Sequence, residues 1–279
     1  MLDPNPKEPQ LQMLKEFPFL TGVVLDPSSG PITTTRRIAV LSQSNIENIR
    51  EINESVTEDI YPQDELDAHY ARLGWPSPNK LPGKPWDAPD LGEQHTCGTE
   101  IWASRRFMVQ RATINLSPQD ICAVEPFVEV VEAALTQETN SLKIQALRKV
   151  FATWGEMVPL NMVVGACLAV TGILNNKKTL PDGTPPTNPP TGDRPYNLTE
   201  IVDQYLGTTK AFARRLESRV QGGASEALLN EGYEAWLNSA VGSPESWTIV
   251  KVHYAVPVTE ILSDQLRERV ERLFTSSLI

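Results

Sequence analysis

Apolar positions along the chain change period several times, and each change predicts a new element. Residues 19–25 form a short apolar run that ends at Asp26-Pro27-Ser28-Ser29-Gly30, a dense turn signal. Residues 32–41, with Thr33, Thr34, Thr35, Ile38 and Val40, predict a strand. From Ser44 the spacing becomes helical: Ile46, Ile49, Ile52 and Val56 predict one amphipathic helix, capped by Ser44 or Asn45, with Glu47, Arg50, Glu51, Glu54 and Glu58 on a solvated face. A short helix is expected over residues 64–73, after which Pro76, Pro78, Pro82, Pro85 and Pro89 forbid regular structure to about Asp90.

Residues 100–116 restore a period of two, with Met108, Ala112, Ile114 and Leu116 on one parity and Phe107 and Val109 on the other. Ser117-Pro118-Gln119-Asp120 then reads as a helix start, followed by the stripe Ile121, Val124, Val128, Val131 and Leu135. A second helix from about Ser141 leads to the stretch 151–174. Pro159 and the glycines Gly155, Gly165 and Gly172 argue against a helix there and for a long strand that bends at its glycines.

Residues 175–195 hold six prolines and predict a polyproline-like loop. Its Pro-x-x-Pro spacing also suits a proline-recognition partner, although a plain linker is the simpler reading. A capping box at Asn197 then opens an expected helix with Ile201, Tyr205, Phe212, Leu216 and Val220 inward, stopped by Gly222-Gly223. A short helix over 225–236, a strictly alternating strand over 247–256 and a helix over 259–274 complete the chain.

The expected fold is therefore α+β: a bent antiparallel sheet of four principal strands, 32–41, 100–116, 157–174 and 247–256, with helical material between them. Residues 1–18 read as an extended lead-in, and residues 19–279 as a single domain. A chain of 279 residues with 40% apolar content can bury a substantial core. Its formal charge of −10 argues against a nucleic-acid partner and against unaided attraction to anionic lipid. Three cysteines, Cys97, Cys122 and Cys167, suit reduced thiols better than a disulfide framework. The first residues lack an apolar signal-peptide core, so the expectation is a cytoplasmic or non-classically secreted chain that is soluble before any membrane binding.

Trp154-Gly155-Glu156-Met157-Val158, then six residues, then Gly165-Ala166, is spaced like the membrane-attack-complex/perforin (MACPF) signature. Trp154, Gly155 and Gly165 fall in register, while Glu156, Met157, Val158 and Ala166 depart from the pattern. Gly222-Gly223, Trp236, Ser239, Pro244 and Trp247 also resemble the family's later Gly-Gly, Trp and Pro pattern, and fungal perforin-like proteins are nearest in flavour. The resemblance implies a bent four-stranded sheet and two clusters, 42–99 and 175–246, that are helical in the soluble form and unfurl into membrane-spanning hairpins after ring assembly. It marks Trp154, Gly155, Gly165, Gly222, Gly223 and Trp236 as signature and hinge residues.

What the resemblance implies for function is self-association into rings or arcs and membrane pores, without catalysis, cofactor or metal. Membrane lipid and a protein partner are the candidate ligands. The segments themselves temper the pore reading. A transmembrane β-hairpin alternates apolar and polar residues over roughly 9–11 positions per strand, and neither cluster does so. Six prolines after Ile60 in the first cluster cannot donate to a ladder. A non-lytic interaction scaffold on the same fold is the alternative. An unrecognised enzyme comes third, since His69, His95 and His253 sit in no nucleophile motif, and Asp64, Glu65, Asp67, His69, His95 and Cys97 match no metal-ligand spacing.

Overall fold

The computed structural model describes residues 18–42, 48–87, 100–174, 212–242 and 244–276. In chain order the elements are β1 (Thr21–Asp26), β2 (Gly30–Arg37), β3 (Ala39–Leu41), β4 (Ile49–Ile60), α1 (Glu65–Leu73), β5 (Trp102–Asn115), β6 (Ile121–Ala123), α2 (Glu125–Leu135), α3 (Asn140–Trp154), β7 (Met157–Leu174), β8 (Phe212–Gln221), α4 (Ser225–Asn230), α5 (Tyr233–Gly242), β9 (Thr248–Pro257) and α6 (Asp264–Thr275). The 18-residue β7 is the spine of an antiparallel sheet. Its side chains are buried on both faces, which is why its sequence is a continuous apolar run rather than an alternation. β5 pairs along one edge, while β9 takes the first half of the other edge and β8 the second half. β4 closes the β5 side, and the β1–β2 hairpin joins β7 at Val23 opposite Met157.

A line of irregular pairing crosses this sheet at one level. The register skips Ile52 and Asn53 in β4, Arg111 in β5 and Val250 in β9, all beside Val164 and Gly165 of β7. Each bulge bends its strand and raises the local twist, so bulges in line fold the whole sheet. The consequence is visible in Arg106, which stands opposite Ala169, while Val250 lies between the partners of Val163 and Val164. Along a flat β7 the two would be about 18 Å apart. Yet the Arg106 Nη2 donates to the Val250 carbonyl.

Arg106 has no exposed surface. Its second nitrogen, Nη1, reaches Glu58 Oε2 at 3.5 Å, and Glu58 also pairs with Lys251 of β9. Gly74 sits against the pair: it caps α1 in a left-handed conformation at φ 79°, and its carbonyl accepts from Val252 N at 2.7 Å. A Cβ there would stand 2.1 Å from the Val250 oxygen and 2.5 Å from Arg106 Nη2.

Helices cover the sheet. α2, α3 and α6 bury Phe127, Val131, Leu147, Phe151 and Val270 against Val158, Leu160 and Val256 at the start of β7 and the end of β9. Each such side chain is worth roughly 1.5–3 kcal/mol in burial. α5 packs Trp236 and Ala240, with the partly buried Leu228 of α4, over Phe107, Val109, Ala166 and Leu168. β3 and β6 form a separate two-stranded ladder.

Several expectations are overturned. The large sheet has seven strands rather than four, because β1, β4 and β8 join the counterparts of the expected strands, β8 and β9 sharing one edge of β7. The expected strand 32–41 is split between β2 and β3, which lie in different sheets. The predicted helix from Ser44 is instead the strand β4, with residues 43–47, Ile46 among them, outside the described residues. Ile52 and Val56 pack beside Met108 and Cys167, whereas Ile49 packs beyond the bulge near Ala112 and Ile114. Glu58 is therefore half-buried in an ion pair and not on a solvated helix face.

Likewise Leu216 and Val220, expected on a helix, belong to β8, and residues 175–211 lie outside the described residues. The described parts of the segments 42–99 and 175–246 thus hold strand as well as helix. The Ser117 capping box exists, but it closes a three-residue 3-10 turn, and the helix itself begins at Glu125 with proline in its first turn. The last helix is likewise divided, a 3-10 turn at Val258–Ile261 preceding α6. The lead-in 1–17 and the pair His95 and Cys97 lie outside the described residues.

Replacing Arg106 with alanine leaves the half-buried Glu58 with Lys251 alone as its ion-pair partner and the Val250 carbonyl without its donor. The expected loss is about 3 kcal/mol in urea unfolding, with Arg105→Ala on the exposed face costing under about 1 kcal/mol.

Candidate functional site

The place where β8 hands over to β9 gathers most of the residues marked by the sequence. β8 ends at Gln221, opposite Cys167, and β9 begins at Thr248, opposite Gly165. Between them the chain leaves the sheet for α4 and α5, and the neck of this excursion is closed by Gly223 N donating to the Ser246 carbonyl at 2.8 Å. Trp236 on α5 is fully buried and donates its indole N–H to the Gly222 carbonyl at 3.1 Å. Its ring lies where a Cβ on Gly223 would stand, 2.4 Å from Nε1.

Two of these positions admit glycine alone. A Cβ on Gly165 would stand 2.0 Å from the Val109 carbonyl oxygen, and one on Gly222 (φ 66°) 2.5 Å from that of Gly165. The backbones of β5, β7 and the β8 end therefore touch without side chains between them. Gly165, Gly222, Gly223 and Trp236 form one elbow in this way.

Trp154 and Gly155 belong to a different place. They lie ten residues before Gly165, roughly 33 Å along the strand. There Gly155 ends α3, donating to the Phe151 carbonyl at 2.8 Å, and meets Gly22 of β1 backbone to backbone. Arg36 lies over the Trp154 ring at 4.9 Å. Glu156, a departure from the family pattern, accepts from Leu25 N at 3.2 Å and from Lys84 Nζ at 3.3 Å, pinning β1 to the start of β7.

Beside the elbow is an open cleft of about 800 Å³, walled by the β1–β2 hairpin, the end of α1, and the facing ends of β8 and β9. Phe19, Trp75, Trp247, Arg72, Arg219 and Gln221 line it. Gln221 donates to the carbonyls of Leu73 and Ile249, both at 3.4 Å, so it ties α1 to β9 at the cleft floor. Arg72 pairs with Glu217 and with His69 Nδ1. Burial, and then the Arg72 charge, hold the His69 imidazole below its usual 6.5, Glu65 opposing in part. Burial pushes the Tyr70 phenol up to about 12, and raises the fully buried Cys167 thiol although Arg106 opposes it. Cys122 and Cys167 are free thiols.

Sequence reasoning missed Gly22, Gly74, Arg106, Glu58, Lys251 and Arg219. Arg105-Arg106 carried a signal, because adjacent residues of a strand face opposite ways and one of the two had to point inward. Among the described residues no group of three His, Cys, Asp or Glu gathers as a metal site, and no helix is long and apolar enough to cross a membrane.

No family model and no curated protein matches this chain. Among solved structures, it is similar to GNIP1Aa from Chromobacterium piscinae at 11% identity, over 93% of this chain and 54% of that one, with a TM-score of 0.48. It is similar to a candidate cell invasion protein with a MAC/Perforin domain from Bacteroides thetaiotaomicron at 9% identity, over 94% and 60% of the two chains, with a TM-score of 0.45. It is also similar to Astrotactin-2, described as a conserved vertebrate-specific and perforin-like membrane protein involved in neuronal development, at 11% identity, over 94% and 98%, with a TM-score of 0.43. The chain thus spans little more than half the length of the first two.

Gly165→Ala and Gly222→Ala should each cost roughly 3 kcal/mol in chemical unfolding, since backbone and not a mobile side chain blocks the added methyl. Gly242→Ala, which meets nothing within 4 Å, should change stability by less than about 0.5 kcal/mol. For pH, a lowered folded-state value means that the unfolded chain takes the His69 proton first. Stability should therefore fall as pH drops below the unfolded value of 6.5, and His69→Gln should flatten that part of a melting-temperature profile.

Proposed function

We propose that the chain is a perforin-like protein of the MACPF type that assembles side by side with copies of itself and carries out no catalysis. The observation that supports this reading is the pair of outer edges. Among the described residues β4 pairs only with β5, and β8 only with β7, so each presents an unpaired edge, of 12 and 10 residues respectively. Long open edges are a liability that monomeric proteins cover or blunt. Here they differ in charge: β4 carries Glu51, Glu54, Glu58 and Asp59 against Arg50, and β8 carries Arg214, Arg215 and Arg219 against Glu217. Opposite edges of opposite sign pair head to tail, the arrangement that builds a ring or arc and not a closed dimer.

Membrane perforation is the output this assembly would serve, and a fungal-type perforin is its finer form. A second reading, a non-lytic scaffold, is favoured by one feature. The segment after β4 is held as α1, with Asp64 capping Asp67 N at 2.8 Å and Gly74 bonded into β9, and its prolines cannot join a ladder.

The test is a charge exchange. Arg214→Glu with Arg215→Glu should abolish arcs or rings seen by negative-stain microscopy on liposomes, and adding Glu51→Lys with Glu54→Lys should restore them. Dye release from the same liposomes separates the lytic from the non-lytic form. Wild-type protein that stays monomeric on every lipid mixture would overturn the assembly reading.

A further inference from the structure

The cleft beside the elbow has a composition that sets it apart from the rest of the chain. The protein carries a formal charge of −10, yet two arginines and no carboxylate side chain line this opening. The two are in different states. Arg72 is largely buried and already answered by Glu217. Arg219, exposed on β8, has no carboxylate or carbonyl partner among the described residues, although its neighbours on the strand do: Arg214 pairs with Glu100 and Arg215 with Glu65. Burial, and then the charge of Arg219, hold the Arg72 guanidinium below its usual range, so the two cations sense each other across the opening.

The remaining wall suits a small organic molecule. Trp75 offers part-exposed aromatic surface, the edges of the buried Phe19 and Trp247 close the wall behind it, and Thr33 and Thr35 of β2 offer hydroxyl donors. A volume of about 800 Å³ lies within the range of small-molecule sites, which combine an apolar lining with a few placed polar groups. Guanidinium pairs are the side-chain chemistry best matched to a phosphoryl or sulfuryl group, because their planar donors meet its oxygens two at a time.

We propose that this cleft binds a small anionic ligand bearing a phosphate or sulfate group, held between Arg72 and Arg219 with its body against Trp75 and Trp247. A ligand seated there would bridge the β1–β2 hairpin, α1 and both sides of the elbow. It would add ties across the line where the sheet bends. The site is complete within one chain, and Arg219 is the one residue that it shares with the charges of the β8 edge.

Calorimetric titration of the full chain with inorganic pyrophosphate, at constant ionic strength, tests the proposal. One saturable site is expected, with affinity weakened at least tenfold in Arg219→Gln and unchanged in Arg214→Gln. Thermal melting confirms that both variants fold. Flotation with phosphatidylcholine vesicles containing phosphatidic acid separates the two sources of the group: co-flotation competed by pyrophosphate assigns a lipid headgroup, and saturable binding without flotation assigns a free ligand. No saturable heat together with no flotation would overturn the proposal, as would equal weakening in Arg214→Gln.

Discussion

A guanidinium with no exposed surface dictates much of this architecture. Arg106 sits in the middle of β5, and a buried cation without partners costs several kcal/mol after every relaxation available to it. Its answers come from two strands, of which a flat sheet would keep only one close. Glu58 stands directly opposite it on β4, whereas the Val250 carbonyl comes from β9, at the residue that the bulge leaves out of the register. The bend therefore makes the site for the charge, and the charge rewards the bend. Gly74 completes the enclosure because any side chain there would displace either Val250 or Arg106.

The glycine elbow follows from the same fold line. Where a sheet creases, backbones of successive strands approach more closely than a Cβ permits, and Gly165 against Val109 and Gly222 against Gly165 are those approaches. The chain then has to leave the sheet between β8 and β9, and Trp236 plugs the exit by bonding Gly222 and covering Gly223. At the far end of β7 the same need for close approach is met by Gly22 and Gly155, with Glu156 anchoring two further segments.

How legible this was depended on whether a residue's spacing belonged to one period or to two. β7 and β9 could be read directly, one as an apolar run with an interior proline and the other as strict alternation. β4 and β8 could not. Ile52, Val56 and Ile60, like Leu216 and Val220, repeat every four residues, a spacing that satisfies a helix turn and two strand pleats alike. In β4 the bulge at Ile52 and Asn53 also shifts the phase of Ile49, which imitates the three-residue step of a helix. The elbow glycines were legible because missing side chains leave a mark in the sequence. The Glu58–Arg106–Lys251 cluster was not, since Glu58 meets Arg106 only through the register of β4 on β5, with β4 read as a helix, and Lys251 reaches them only across the crease.

The crease also decides what the two outer strands can offer a second molecule. Glu58 is drawn inward to Arg106 and Lys251, and Asp59 is paired with Arg105, so those β4 carboxylates are already answered within the chain. Glu51 and Glu54 lie on either side of the bulge in the register with β5, where the strand bends. On β8, Arg214 and Arg215 are taken by carboxylates of Glu100 and Glu65 while Arg219 turns to the cleft. Any docking of β4 against β8 would have to exchange those surface pairs for new ones of the same kind, a trade close to neutral in energy for exposed charges. Backbone ladder bonds along the two edges would then carry the affinity, and the charges would set which edge meets which.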